Sequence, residues 1–139
     1  MSARALLLAA ATLFAAAPAS AAICTGISRI ETRPGETVKT EQGPDFTVYR
    51  VTGAMGDWAL YDGYFANLGD AVPRKFMQRG AVSILAVGAA SYLAVDPHGE
   101  QNHFFGTLFR GGDADKPFFD RVTFGAEAKA RCPAPGVAR

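Results

Sequence analysis

The side chains with the most obvious chemistry crowd into one short stretch. Asp96, His98, Glu100 and His103 lie close together and include both histidines of the chain. Imidazole and carboxylate are good ligands for zinc or copper, and a site needs three or four converging groups. The local sequence offers a plainer use. In Asp96-Pro97-His98-Gly99 an Asp can bond its own backbone, a Pro presets φ, and a Gly takes the exit. A turn there sets Val95 opposite Glu100 and Tyr92 opposite His103. His103 then lies several residues down the ladder from His98, at up to about 3.4 Å of rise per residue. Four-way convergence is not expected, so turn chemistry is the preferred reading and a metal site is the alternative.

Other catalytic groupings are weaker. Ser28, Ser83 and Ser91 lack the Gly-x-Ser-x-Gly context of a nucleophile elbow. Asp57 with Asp62, and Asp113 with Asp115, pair carboxylates, but in or beside glycine-rich segments with no sign of the burial that shifts a pKa. The Asp113-Ala114-Asp115 run lacks the remaining ligands of a calcium-binding loop. No catalytic residue and no cofactor is expected, and an enzyme is the less favoured reading.

Cys24 and Cys132 are the two cysteines. In an oxidising compartment a lone pair of this kind is expected to form a disulfide. Closing a loop of about 100 residues is worth roughly 4–5 kcal/mol in the chain-entropy model. There is no Cys-x-x-Cys spacing, so redox catalysis is not expected.

The compartment is suggested by the first residues. Arg4 is followed by an apolar run over Ala5–Ala17, then Pro18 and the small residues Ala19-Ser20-Ala21-Ala22. This is the pattern of a signal peptide, cleaved after Ala21 or Ala22. The run is shorter than the roughly 20 residues that span a bilayer. Ile23 before Cys24 does not suit lipidation, and an adjacent arginine pair is lacking. The expected organisation is a leader over 1–22, one globular domain over 23–132, and an unstructured tail over 133–139. Arg4 is the only charge in the leader, so 14 basic residues become 13 against 13 acidic ones. A neutral domain does not suit nucleic acid or an anionic membrane surface. A periplasmic or secreted protein without a transmembrane anchor is expected, and its oligomeric state stays open.

The elements that would position these groups are mostly strands. Residues 27–32 and 37–40 read as short strands around the Pro34-Gly35 turn. Phe46–Val51 is built almost wholly of β-formers. In Trp58–Leu68, period two puts Trp58, Leu60, Tyr64 and Leu68 on one face, with Asp62 as the exception. Gly63 within that run suggests a bulge or a close backbone approach. Residues 74–80 carry Arg74, Lys75 and Arg79, which suits an edge strand. Ala81–Val95 and Glu100–Arg110 read as the two arms of one long hairpin. Residues 117–124 fit either a strand, with Phe118, Val122 and Phe124 inward, or the start of a helix. Asp115 could cap such a helix and Pro117 fits its first turn, so a helix over roughly 116–130 is preferred.

Gly43-Pro44-Asp45-Phe46-Thr47-Val48-Tyr49, followed by Gly63-Tyr64-Phe65-Ala66-Asn67, resembles a group of small uncharacterised exported bacterial proteins. They carry a Gly-Pro-Asp-Phe-x-Val-Tyr strand and then a Gly-x-Tyr-x-Gly-Asn segment. This chain departs from the pattern at Ala66, where the group has Gly, and at Gly69, where it has Pro. The resemblance implies an exported domain and no catalytic residues.

The aromatic content is high, with 10 Phe, 4 Tyr and 1 Trp. Core packing is the first explanation. Yet Trp58, Tyr61, Tyr64, Phe65, Phe104 and Phe105 fall on both faces of their strands, which suggests a sticky surface. The fold expected is α+β: a mainly antiparallel sheet of five or six strands with one C-terminal helix, or alternatively an all-β sandwich or barrel. The function expected is a non-enzymatic binding module for a protein or envelope component. A small-ligand carrier with an apolar cavity is one alternative. A metal-binding protein or metal-dependent enzyme using the hairpin-tip histidines is the other.

Overall fold

The structure, a computed structural model, describes residues 21–63, 68–97, 102–107 and 116–139, with the backbone alone for 102–107 and Lys116. In chain order the elements are β1 (Ala22–Cys24), β2 (Ser28–Glu31), β3 (Thr37–Gln42), β4 (Phe46–Thr52), β5 (Trp58–Gly63), β6 (Arg74–Arg79) and β7 (Val82–Ala86). Then come β8 (Ser91–Val95), β9 (Asn102–Thr107), α1 (Lys116–Phe119), β10 (Val122–Phe124), α2 (Gly125–Arg131) and β11 (Gly136–Ala138). Every strand pairing is antiparallel. One sheet has the order β3-β4-β5-β9-β8-β7-β6, and a smaller one has the order β10-β2-β1-β11.

The mainly antiparallel β character agrees with the sequence reading, but the counts do not. Strands are more numerous than five or six, and the expected helix is divided. Phe118 and Phe119 are both buried and sit in the single turn of α1. The chain then extends so that Val122 pairs with Ile30, and only afterwards forms α2. The strand and helix readings of 117–124 each capture part of this segment. Gly125 has φ +67°, a left-handed conformation that makes the abrupt change from strand to helix feasible. Its N–H donates to the Ile27 carbonyl at 2.9 Å.

The long hairpin also needs correction. Its first arm is two strands, β7 and β8, joined by a turn through Gly88 (φ +73°), where the Val87 N–H donates to the Ser91 carbonyl at 2.7 Å. The apolar Ala-Ala after Gly88 hid this turn, because neither residue carries a turn signal. Val95 pairs with Asn102, Ala94 with His103 and Tyr92 with Phe105. The connection is therefore six residues rather than four. The slip is two residues, so each residue keeps the face expected for it.

The tail from Pro133 is also not unstructured throughout, since Gly136–Ala138 forms β11 alongside β1. Ala22, assigned above to the leader, is the first residue of β1 and is fully buried. Cys24 and Cys132 form the expected disulfide, with Cα atoms 5.7 Å apart. Among the described residues no helix is long and apolar enough to cross a membrane.

The core lies between the inner face of the large sheet and the small sheet. It unites Tyr49, Val51, Trp58, Leu60, Ile84 and Tyr92 with Ile23, Ile27, Ile30 and Val122. Phe118 and Phe119 fill the space between them. Phe118 meets Trp58 edge-on at 5.0 Å, and Phe119 meets Tyr92 edge-on at 5.2 Å. Such edge contacts suit the ring quadrupoles, and each fully buried Phe contributes roughly 1.5–3 kcal/mol.

Candidate functional site

The hairpin-tip residues are not gathered into a site among the described residues. Asp96 is half-buried just beyond β8, while His98 and Glu100 lie outside the described residues. His103 stands opposite Asp62 and Ala94 in register, well along the ladder from Asp96. Among the described residues no three His, Cys, Asp or Glu side chains cluster closely enough to hold a metal ion.

The aromatic residues divide between the two faces of the large sheet. Trp58 is buried on the inner face and belongs to the core. Phe105 stands opposite Leu60 and Tyr92 in register, two residues along β9 from Thr107, the partner of Trp58. Tyr61 lies on the outer face and is half-buried. It heads a row in which Val48, Tyr61, Phe104, Leu93 and Leu85 stand opposite one another across β4, β5, β9, β8 and β7. Tyr64 and Phe65 lie outside the described residues.

At one end of this row Phe46 stacks on Tyr61 with ring centroids 5.3 Å apart and planes 25° from parallel. Two glycines make room for the Phe46 side chain. A Cβ on Gly43 would come within 2.3 Å of the Phe46 ring, and one on Gly63 within 2.7 Å of the Phe46 Cβ. Gly63 pairs with Phe46 in regular register, so it marks a close approach rather than a bulge. The Gly43 N–H also donates to the Phe46 carbonyl at 2.8 Å, closing the β3–β4 turn. Thus three of the residues on which the resemblance was drawn, Gly43, Phe46 and Gly63, form one packed unit on the outer face.

Sequence reasoning missed a buried ion pair. The Arg121 Nη1 donates to both carboxylate oxygens of Glu36, at 3.1 and 2.9 Å, with the side chains 10% and 5% exposed. The guanidinium also lies over the Trp58 and Phe118 rings, 5.2 and 5.1 Å from their centroids. Burial pushes the Glu36 carboxyl up. Hydrogen bonds from Arg121, the Arg33 amide and Trp58, together with the Arg121 charge, outweigh it and hold the carboxyl below its ordinary range. The Arg121 Nε and Nη2 are buried without a hydrogen-bond partner among the described residues. The two residues are 85 apart, so no local pattern joins them. The one available signal is a charge inside the apolar run Phe118-Phe119-Asp120-Arg121-Val122.

A second buried polar pair lies on the inner face. Tyr49 is 2% exposed and Asp62 is 9% exposed. Burial, then the Asp62 charge, pushes the Tyr49 phenol above its ordinary value. Asp62 stands opposite Thr47 and His103 in register. An open groove of about 310 Å3 runs between Arg79 and Gly80 on one side and Val122, Thr123, Phe124 and Glu127 on the other. Its cation, Arg79, is already paired with Asp120 at 3.4 Å.

No family model matches the chain, and neither a curated protein nor a solved structure matches it.

Proposed function

We propose that this is an exported, non-enzymatic binding domain of the cell envelope, and that its contact surface is the outer face of the large sheet around the half-buried Phe46, Val48, Tyr61 and Leu85. The carrying observation is the two-sided apolar character of that sheet. Its inner face is committed to the core through Phe118 and Phe119, while the opposite face carries an apolar row across five strands. Apolar patches on an otherwise polar surface mark interaction sites. The Arg50–Glu41 pair, hydrogen-bonded at 2.8 Å and exposed, supplies a polar rim on β3 and β4. The disulfide fits an oxidising compartment. The space between Trp58 and Tyr92 is filled by Phe118 and Phe119, which weighs against a carrier cavity there.

The test is site-specific photo-crosslinking in cells that export the protein. A photoreactive residue at Val48 or Leu85 is expected to give a discrete adduct with an envelope component. The same residue at Met55, 66% exposed and away from that row, is expected to give none. Equal labelling from all three positions, or none from Val48 and Leu85, overturns the assignment.

A further inference from the structure

We propose that the leader is removed after Ala19, so that the mature chain begins at Ser20. This proposal rests on the export reading above. The fold engages residues on which that reading, taken from sequence alone, had placed the cut. The Ala21 carbonyl accepts two hydrogen bonds from Thr32, one from its N–H at 2.9 Å and one from its hydroxyl at 2.6 Å. Thr32 is 7% exposed. Ala22 is 0% exposed and lies between Glu31 and Ala138 in the small sheet.

Cleavage after Ala21 hydrolyses the Ala21–Ala22 amide. The acceptor leaves with the leader carboxylate, and a new ammonium appears on Ala22. That ammonium only donates; the Thr32 hydroxyl can turn to accept from it, but the Thr32 N–H is left facing a donor. Buried polar groups left without partners are destabilising. Cleavage after Ala22 additionally removes a buried strand residue. A cut after Ala19 avoids both losses, and the sequence meets the requirement of the peptidase there. Ala17-Pro18-Ala19 places small residues at the first and third positions before the bond. The next such site upstream, after Ala17, puts Pro18 beyond the scissile bond, where its ring nitrogen lacks an N–H.

The experiment is expression of the full chain in an exporting bacterial host, followed by intact mass and N-terminal sequencing of the protein outside the inner membrane. A chain beginning at Ser20 is expected. One beginning at Ala22 or Ile23 overturns the proposed site and leaves export standing. A full-length chain retained in the cytoplasm overturns export itself. Two variants sharpen the result: Ala19→Arg should accumulate as precursor, and Ala21→Arg should be processed at the parent rate. The reverse pattern rules out the proposed bond. Proteins made directly from Ser20 and from Ala22 should differ in stability, the shorter one having its unfolding constant raised about tenfold or more. Equal unfolding midpoints would remove the physical basis of the proposal.

Discussion

The two faces of the large sheet are built from similar residues and used in different ways. On the inner face, Trp58, Tyr92, Phe118 and Phe119 meet edge-on in a continuous core that also holds the small sheet. On the outer face, Phe46 and Tyr61 stack nearly parallel over glycines and stay half-buried. Composition alone does not separate the two roles. What marks the inner face is the element that completes its packing. Inside, α1 provides that element, inserting two adjacent phenylalanines between the sheets.

The largest test of this contrast is Phe119→Ala. Truncating a fully buried Phe should cost about 3–5 kcal/mol, read as a fall in the urea midpoint. Tyr61→Ala on the other face should cost far less, and equal losses would erase the distinction between core and surface.

Next is the buried ion pair, which holds Glu36, at the start of the large sheet, against the turn before β10. Arg121→Met leaves the Glu36 carboxylate buried without its cation and should cost roughly 3 kcal/mol. The exposed Arg50→Met should produce no measurable change. Because the folded carboxyl of Glu36 lies below its ordinary range, its contribution is complete above the unfolded value of about 4.3. It is lost as pH falls through the lower folded value. The acid limb of a stability profile should therefore flatten in Glu36→Gln.

Gly63→Ala addresses the outer unit. The new methyl would meet Phe46 and Tyr61 at contacts under 3 Å, and overpacking of this kind costs about 1–3 kcal/mol. If Phe46 simply swings away, tyrosine fluorescence should change while the urea midpoint holds.

The smallest effect is on Tyr49. Its phenol is held above the ordinary value, first by burial and then by the Asp62 charge. The associated stability is complete below the unfolded value of about 10 and is lost as pH rises through the folded one. Asp62→Asn should bring the phenolate transition to lower pH in an ultraviolet titration.

Much of the large sheet was legible in the chain because β-forming composition, edge charges and turn residues are local signals. Phe46–Val51 read correctly from its β-forming residues, and the edge strand from the charges of Arg74, Lys75 and Arg79. The small sheet was far less legible. Its strands β1, β10 and β11 are three residues each, too short for alternation to register. Each exists because a partner distant in sequence completes it. The same holds for Glu36 and Arg121, which meet only after both sheets form. Asp62 broke the apolar pattern of its strand, and its place on the buried face beside Tyr49 accounts for that exception.

The pairing of β1 with β11 carries a consequence for the order of events in the cell. The small sheet joins residues from both extremities of the fold, and its covalent link spans 108 positions. Contacts over such separations form slowly, because loop-closure entropy must be met first. A chain emerging from the ribosome holds β1 and β2 long before β10 and β11 exist. Until synthesis is nearly complete, Ile23 and Ile30 lack the rest of the layer that buries them. The architecture thus postpones completion of the small sheet until β10 and β11 have both been made.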